Sequence, residues 1–193
     1  ILYLHGGGWQ YGSRQVVLPF CRYLAEQANA VVAVPEYHLA PEHRWPAALE
    51  DCWQLLCRLH AQAETRGIDP ARITVAGDSA GGNLAVAAAL RLLHDVGAIL
   101  RAEPNILQLA APTVVVGDVH GQYYDLLQVI DQRPADTQYL FLGDYVDRGF
   151  FSTEIVLYLC AMVLCHPDRV VLLRGNHESS SCVNTYGLSL IHI

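Results

Sequence analysis

The fold of the N-terminal half is decided by the stretch Ile73-Thr74-Val75-Ala76-Gly77-Asp78-Ser79-Ala80-Gly81-Gly82. Its first residues predict a buried strand, and the Ala- and Leu-rich residues that follow predict a helix. The turn between them matches the pattern G-x-S-x-G, in which small residues let the backbone bend sharply and expose a serine hydroxyl. Ser79 is therefore the candidate nucleophile of this half.

A second glycine-rich motif, His5-Gly6-Gly7-Gly8-Trp9, directly follows the apolar run Leu2–Leu4. Glycines let backbone N–H groups approach developing negative charge, and the start of the helix after Ser79 supplies further amides. Either motif alone is as compatible with a turn that binds phosphate or no ligand as it is with acyl-transfer chemistry. The two together, in this order, favour acyl-transfer chemistry.

Working outward, strands alternate with helices along the whole chain, which predicts an α/β fold. Predicted strands cover 2–4, 30–34, 72–76, 113–116, 139–142 and 170–173, and predicted helices cover 16–27, 47–66, 81–95, 123–131 and 153–165. The length of 193 residues allows one ordinary domain or two small ones. The motifs before 96–103 are built on serine and glycine, and those after it on aspartate and histidine, so we expect two domains, 1–96 and 97–193.

Composition narrows the possible partners. The chain has 12 basic and 19 acidic residues, a net charge of −7, which disfavours binding to nucleic acid or to an anionic membrane surface. No run of apolar residues reaches the ~18 that a membrane span needs. Six cysteines without zinc-like spacing indicate reduced, buried thiols, as in intracellular proteins.

Three further motifs occupy the C-terminal half, each directly after a predicted strand. They are Gly117-Asp118-Val119-His120-Gly121, Gly143-Asp144-Tyr145-Val146-Asp147-Arg148-Gly149 and Arg174-Gly175-Asn176-His177-Glu178. Carboxylates combined with imidazole suit Mn, Fe or Zn, and a pair of such ions can activate water for attack on phosphorus. One such motif alone could be a solvated turn, but three at strand ends favour phosphoester hydrolysis.

Residues 1–95 resemble the hormone-sensitive-lipase-like group of α/β hydrolases. The matching segments are HGGGW, Glu36-Tyr37-His38-Leu39-Ala40-Pro41-Glu42, Gly67-Ile68-Asp69-Pro70-Ala71-Arg72-Ile73 and GDSAGG. The resemblance implies that Ser79 is the acyl-accepting nucleophile and that the backbone N–H groups of Gly7, Gly8 and Ala80 form an oxyanion hole. Glu36 and His38 stand where the family usually has Asp and Arg, with little expected effect on the chemistry. The family's acid and base, which follow the nucleophile in the chain, are absent because the pattern stops near Asp95.

Residues 100–187 resemble the phosphoprotein phosphatase family of Ser/Thr phosphatases. The resemblance implies two divalent first-row metal ions (Mn, Fe or Zn), with ligands Asp118, His120, Asp144 and Asn176. Asp118 and His120 would bind the first metal, Asp144 would bridge both metals, and Asn176 would bind the second. By the same resemblance His177 would be the general acid, Asp147 would orient it, and Arg148 would clamp the phosphate. Two further histidines and a second arginine of the family are missing, so the second metal site is incomplete; His192 is a less favoured replacement.

These observations predict a partial α/β-hydrolase parallel sheet followed by a partial calcineurin-like metallophosphoesterase α/β sandwich. The leading functional hypothesis is a metal-dependent phosphatase acting on phosphorylated proteins, because this half retains more catalytic groups, fused to a lipase- or esterase-like fragment. One alternative is a carboxylic ester hydrolase that uses Ser79 on small esters. The other is a hybrid of two gene fragments with neither activity. We favour the hybrid for the polypeptide as written, and the two hydrolytic activities for the ancestry of its halves. We expect no nucleic-acid or membrane partner and a cytoplasmic location.

Overall fold

The computed structural model describes residues 1–134 and 136–182. The chain divides into two compact units, Ile1–Arg91 and Leu92–Ile193. The boundary between them falls inside one helix, Ala80–Ala102. Each unit has its own parallel sheet and its own apolar core.

The sheet of the first unit consists of two parallel strands, β1 (Leu2–Leu4) and β2 (Val75–Gly77). A third strand was expected at 30–34, and this expectation is wrong: only Ala33 pairs, as an isolated bridge to Leu2. Three hydrogen bonds join the two segments: Tyr3 N–H to the Ala33 carbonyl at 2.8 Å, Ala33 N–H to the Ile1 carbonyl at 2.8 Å, and the Ile1 amine to the Val31 carbonyl at 2.7 Å. Because the pairing involves only Ile1–Tyr3 on the side of β1, it stays a single bridge.

Helices α1 (Arg14–Ala28) and α2 (Ala47–Ala61) belong to the first unit. The carboxylate of Glu36 accepts a hydrogen bond from the backbone N–H of Arg14 at 3.0 Å, so a distant residue satisfies one of the unpaired amides at the start of α1. Helix α2 ends before the predicted residue 66, because the chain turns into a short 3₁₀ segment that closes at Gly67, φ +66°. The core of this unit contains Leu2, Leu4, Tyr37, Ala48, Leu49, Cys52, Leu84 and Ala88.

The second unit is built on three parallel strands, β3 (Thr113–Val116), β4 (Gln138–Phe141) and β5 (Val170–Leu172), in that order across the sheet. With α3 assigned to the long helix Ala80–Ala102, the two helices that connect these strands are α4 (Tyr123–Asp131) and α5 (Ser152–Cys165). Helix α5 buries Ile155, Leu159 and Val163, which are spaced four residues apart and therefore share one face. The core also contains Val96, Val119, Leu126, Tyr139, Phe141, Tyr145, Val146 and Val170.

Helix α3 (Ala80–Ala102) corrects the expectation that no stretch is long and apolar enough to cross a membrane. It has 23 residues, and its most apolar 18-residue window has a mean hydropathy of 1.4. Core helices pass the same test of length and composition, and α3 contributes Leu84 and Ala88 to one core and Val96 to the other, although only 17% of its apolar window is buried. The helix by itself therefore does not establish a membrane span.

Candidate active sites

The two glycine motifs of the first unit meet at one edge of its sheet. In the parallel register Leu4 lies opposite Gly77, so the segments that follow β1 and β2 leave the sheet side by side. The Asp78 carboxylate joins them, because its Oδ1 accepts hydrogen bonds from the Gly6 backbone N–H at 3.0 Å and from the Tyr3 hydroxyl at 3.2 Å. Asp78 therefore ties the glycine loop to the turn that carries Ser79.

Ser79 occupies a sharp strand-to-helix turn. Its φ is +51°, in the left-handed region that L-residues avoid, and its side chain is exposed. A Cβ on Gly77 would lie 2.6 Å from the carbonyl oxygen of Leu4, so the turn has no room for a larger residue there. This geometry agrees with the strained elbow that presents a serine nucleophile.

The expected oxyanion donors belong to the loop after β1 and to the start of α3. Gly7 and Gly8 have φ of +123° and +59°, and Ala80 is the buried first residue of α3. Among the described residues, none accepts a hydrogen bond from the backbone N–H of Gly7 or Gly8. Within the same ranges, 1–134 and 136–182, no histidine hydrogen-bonds to Ser79. The unit thus presents a serine and backbone donors without a paired base.

A buried pair of rings supports the glycine loop from behind. The His5 and Tyr37 rings stack with their centroids 4.3 Å apart, and the Tyr37 hydroxyl donates to the His5 carbonyl at 2.5 Å. Burial raises the pKa of Tyr37 to about 12, so this hydroxyl stays protonated and remains a donor at physiological pH. The stacked rings therefore hold His5, the residue directly before Gly6–Gly8, in place.

In the second unit, the three C-terminal motifs follow β3, β4 and β5 and meet at the carboxyl edge of the sheet. His120 lies at the centre of this group. Its Nδ1 is 2.8 Å from the Val146 carbonyl oxygen and must donate to it, which leaves the lone pair on Nε2. That Nε2 is 3.6 Å from Asp118 Oδ2 and 3.9 Å from Asp144 Oδ2. It is buried and has no hydrogen-bond partner in the described part of the chain.

His177 approaches the same centre from the third motif. Its backbone N–H donates to Asp144 Oδ1 at 2.9 Å, and its ring Nδ1 lies 2.9 Å from Asp147 Oδ2. The His177 ring meets the His120 ring edge-on, with centroids 4.7 Å apart. Ligand atoms of His120, Asp144 and His177 all lie within 4.8 Å of one another. A buried imidazole lone pair facing carboxylate oxygens is chemically suited to a divalent cation, which would relieve the unpaired acceptor.

The other predicted residues lie on the loops of this group. Arg148 and Asn176 have exposed side chains, and Arg148 directly follows Asp147. Four residues of the group have positive φ: His120 (+41°), Asp144 (+55°), Asp147 (+67°) and Arg148 (+65°). Each such residue costs on the order of 1 kcal/mol, and strain of this kind concentrates at functional sites. His192 lies outside the described residues.

Sequence reasoning gave no role to Glu178, which holds two of the loops together. Its Oε2 accepts hydrogen bonds from the backbone N–H of Asp144 at 2.8 Å and of Gly175 at 3.0 Å. Its Oε1 accepts from the N–H of Tyr145 at 2.8 Å. These partners could not be read from the sequence, because two of them lie more than 30 residues away and all three are backbone groups.

Tyr145 adds a second tie between the same loops. Its hydroxyl donates to the carbonyl of Leu173 at 2.7 Å, which joins the residues after β4 to those after β5. Burial, with smaller contributions from Glu178 and Cys160, raises the pKa of Tyr145. The phenol therefore stays protonated and keeps this hydrogen bond at alkaline pH.

The folds and the two groups of side chains combine parts of two α/β classes. The chain belongs to the α/β hydrolase fold family, whose model matches residues 1–138, and its residues 111–192 match the model of the calcineurin-like phosphoesterases. The two matches overlap at 111–138. The expectation that the chain is a chimera of these two families is confirmed.

Phosphatases are among the relatives of the chain. It is 50% identical over 99 residues to the serine/threonine-protein phosphatase PP2A-like PPG1 of Candida albicans, and 50% identical over 91 residues to a protein phosphatase 2A catalytic subunit of Dictyostelium discoideum. These alignments include 50% and 46% of this chain but only 24% and 29% of the relatives, so the chain spans about a quarter of their length. A solved serine/threonine phosphatase from Saccharomyces cerevisiae, with similarity to human phosphatase PP5, matches with a TM-score of 0.50 and 27% identity, covering 70% of this chain and 42% of that one.

Proposed function

We propose that the second unit hydrolyses phosphomonoesters with the help of divalent cations. The observation that carries the proposal is the convergence of His120, Asp144 and His177 at the carboxyl ends of three parallel strands, with the buried Nε2 of His120 left without a hydrogen bond among the described residues. Active sites of α/β proteins lie at this edge of the sheet. The similarity to protein phosphatases supports the same reaction class.

The donor set fits the metal that the calcineurin-like phosphoesterase family implies. Asp118, His120 and Asp144 would hold a first cation, and Asp144 with Asn176 would contribute to a second, incomplete site. Hard oxygen donors mixed with imidazole select Mn, Fe or Zn over Ca or Cu(I). Such cations supply Lewis-acid stabilisation of charge on the phosphoryl oxygens.

The remaining roles are assigned to this chain's own side chains. His177 protonates the leaving alkoxide, and the hydrogen bond between its Nδ1 and Asp147 orients the ring for this transfer. Arg148 binds the phosphate, a role suited to the planar guanidinium group. The substrate is a phosphorylated protein, by analogy with the phosphatase relatives.

The test is hydrolysis of p-nitrophenyl phosphate by the full chain with and without added Mn²⁺. We expect turnover that requires Mn²⁺ and that is lost in Asp144→Asn. The control is Asp125→Asn, the same substitution at an exposed carboxylate on α4. Turnover that survives Asp144→Asn, or that falls equally in both variants, contradicts the proposal.

A second function is favoured by the geometry of Ser79. The strained φ of Ser79 and its exposed side chain support hydrolysis of small carboxylic esters, with the backbone N–H groups of Gly7, Gly8 and Ala80 as the proposed oxyanion donors. Without a paired base this activity is slow, because loss of triad members lowers the rate by several orders of magnitude.

The assay for this second function is hydrolysis of p-nitrophenyl butyrate. We expect the slow turnover to be lost in Ser79→Ala and retained in Ser13→Ala. Ser13 is the matched control because it precedes α1 and its side chain makes no capping hydrogen bond to that helix. Equal turnover by the two variants contradicts a nucleophilic role for Ser79.

We place the two functions in two domains, 1–96 and 97–193. Two compact units and two separate cores support two domains, although the compact units divide at Arg91 and Val96 packs in the second core. The remaining alternative is a hybrid of two gene fragments with neither activity. It predicts that folded protein turns over neither phosphate nor carboxylic esters, so the same two assays distinguish it.

A further inference from the structure

A pair of histidines in the first unit lies outside both proposed active sites. The His38 and His43 rings have their centroids 4.1 Å apart and are tilted by 51°. His38 lies between α1 and α2 in the chain, and His43 follows it on the same loop. We call these two residues the imidazole pair.

A carboxylate on α2 fixes one member of the pair. Asp51 Oδ2 lies 2.6 Å from His38 Nδ1 and also accepts a hydrogen bond from the His38 backbone N–H at 2.8 Å. An ionised carboxylate can only accept, so His38 carries its proton on Nδ1 and its lone pair on Nε2. A carboxylate that orients a histidine in this way is the usual second partner of a histidine that binds a metal.

The surroundings of the pair allow an ion to enter. The His38 side chain is 55% exposed, and both histidines line a cavity of about 250 Å³ together with Gly8, Trp9, Trp45 and Asn83. Imidazole nitrogens without thiolates suit Zn²⁺ and Cu²⁺ rather than Mg²⁺ or Ca²⁺.

We propose that the imidazole pair binds one divalent transition-metal ion of the Zn²⁺ class, with Asp51 orienting His38. Zn–N bonds of about 2.1 Å in tetrahedral geometry place two ring centroids about 5 Å apart, so the exposed His43 ring needs to move by about 1 Å. Solvent supplies the other ligands, and the site is independent of the proposed metal group at His120.

The test uses the unchanged full chain. Diethyl pyrocarbonate modifies accessible histidines, and mass spectrometry measures the rate at each one. Zn²⁺ at about ten times its dissociation constant leaves about one-tenth of the sites open, so we expect about tenfold slower modification at His38 and His43. His94 is the matched control, because it is exposed and lies 3.2 Å from the Asp95 carboxylate but is not part of the imidazole pair.

Equal slowing at His94, or no slowing at His38 and His43, overturns the proposal. A second measurement uses calorimetric titration with Zn²⁺. We expect His38→Gln to remove one binding equivalent, Asp51→Asn to weaken that equivalent by about 10–100-fold, and His94→Gln to leave it unchanged. An unchanged number of equivalents in His38→Gln also overturns the proposal.

Discussion

Glu178 joins the loops after β4 and β5, and its substitution is expected to weaken cation binding at the second unit. Its two oxygens accept three backbone hydrogen bonds, at 2.8, 2.8 and 3.0 Å. Substitution with Gln replaces one oxygen by an NH₂ group, which is a donor facing other donors. The loop that carries Asp144 then loses part of its attachment, while the size of the side chain hardly changes.

The magnitude follows from the three hydrogen bonds. Bonds to a charged acceptor contribute about 1.5–3 kcal/mol each, and bonds to a neutral one about half as much. If Gln keeps its oxygen at the Oε2 position, one bond is lost and two become neutral, which at the lower limit of these ranges totals about 3 kcal/mol. That energy corresponds to about a 100-fold change in an equilibrium constant.

The assay is a Mn²⁺ titration of p-nitrophenyl phosphate hydrolysis. We expect the Mn²⁺ concentration at half-saturation to rise by up to about 100-fold in Glu178→Gln, because cation binding must now also order the Asp144 loop. At saturating Mn²⁺ the turnover number recovers most of its value, since Glu178 does not contact the reacting groups. Glu154→Gln, the same change at an exposed position of α5, is the control. Half-saturation that is equal in Glu178→Gln and Glu154→Gln would refute the reasoning.

Three other changes test different parts of the structure. Asp147→Asn weakens the 2.9 Å contact with His177, so we expect kcat for phosphate esters to fall by about 100-fold while the Mn²⁺ concentration at half-saturation stays unchanged. A change in half-saturation alone contradicts the role of Asp147 in orienting His177. Gly77→Ala places a Cβ 2.6 Å from the Leu4 carbonyl oxygen, so we expect it to lower the unfolding free energy by about 1–3 kcal/mol. Gly97→Ala, inside α3, is expected to raise the unfolding free energy by about 0.5–1 kcal/mol. Thermal unfolding measures both variants, and equal effects refute the packing argument. Burial raises the pKa of Cys52 to about 12 and of Cys160 to about 11. At pH 8 we therefore expect the exposed Cys57 and Cys165 to react with Ellman's reagent first. Early labelling of Cys52 contradicts its burial.

Sequence patterns located most elements because their signals are local. The strand Thr113–Val116 and the helix Tyr123–Asp131 appear where they were predicted, since apolar periodicity and flanking polar residues define both. The strand expected at 30–34 failed because strand formation depends on a partner, and β1 offers only one bridging residue to it. The helix predicted at 81–95 extends to Ala102, because the Ala- and Leu-rich composition of α3 favours helix throughout.

The candidate sites show the same division between local and distant information. The motifs identified Ser79, His120, Asp144 and His177 as candidates, because reactive or metal-binding residue types directly after a strand indicate a catalytic site. The role of Glu178 depends on backbone groups of Asp144 and Tyr145 far away in the chain, and no spacing rule reveals such contacts. The pairing of Asp51 with His38 likewise required the fold that brings α2 to the preceding loop.

The central claim is that the loops after β3, β4 and β5 form a cation site at which a phosphate ester is hydrolysed. Anomalous diffraction from crystals of the full chain soaked in Mn²⁺ tests the site most directly. We predict a peak bound by His120 Nε2 together with carboxylate oxygens of Asp118 and Asp144. Density at saturating Mn²⁺ that lacks a peak beside His120, or that places the ion away from Asp144, would contradict this claim.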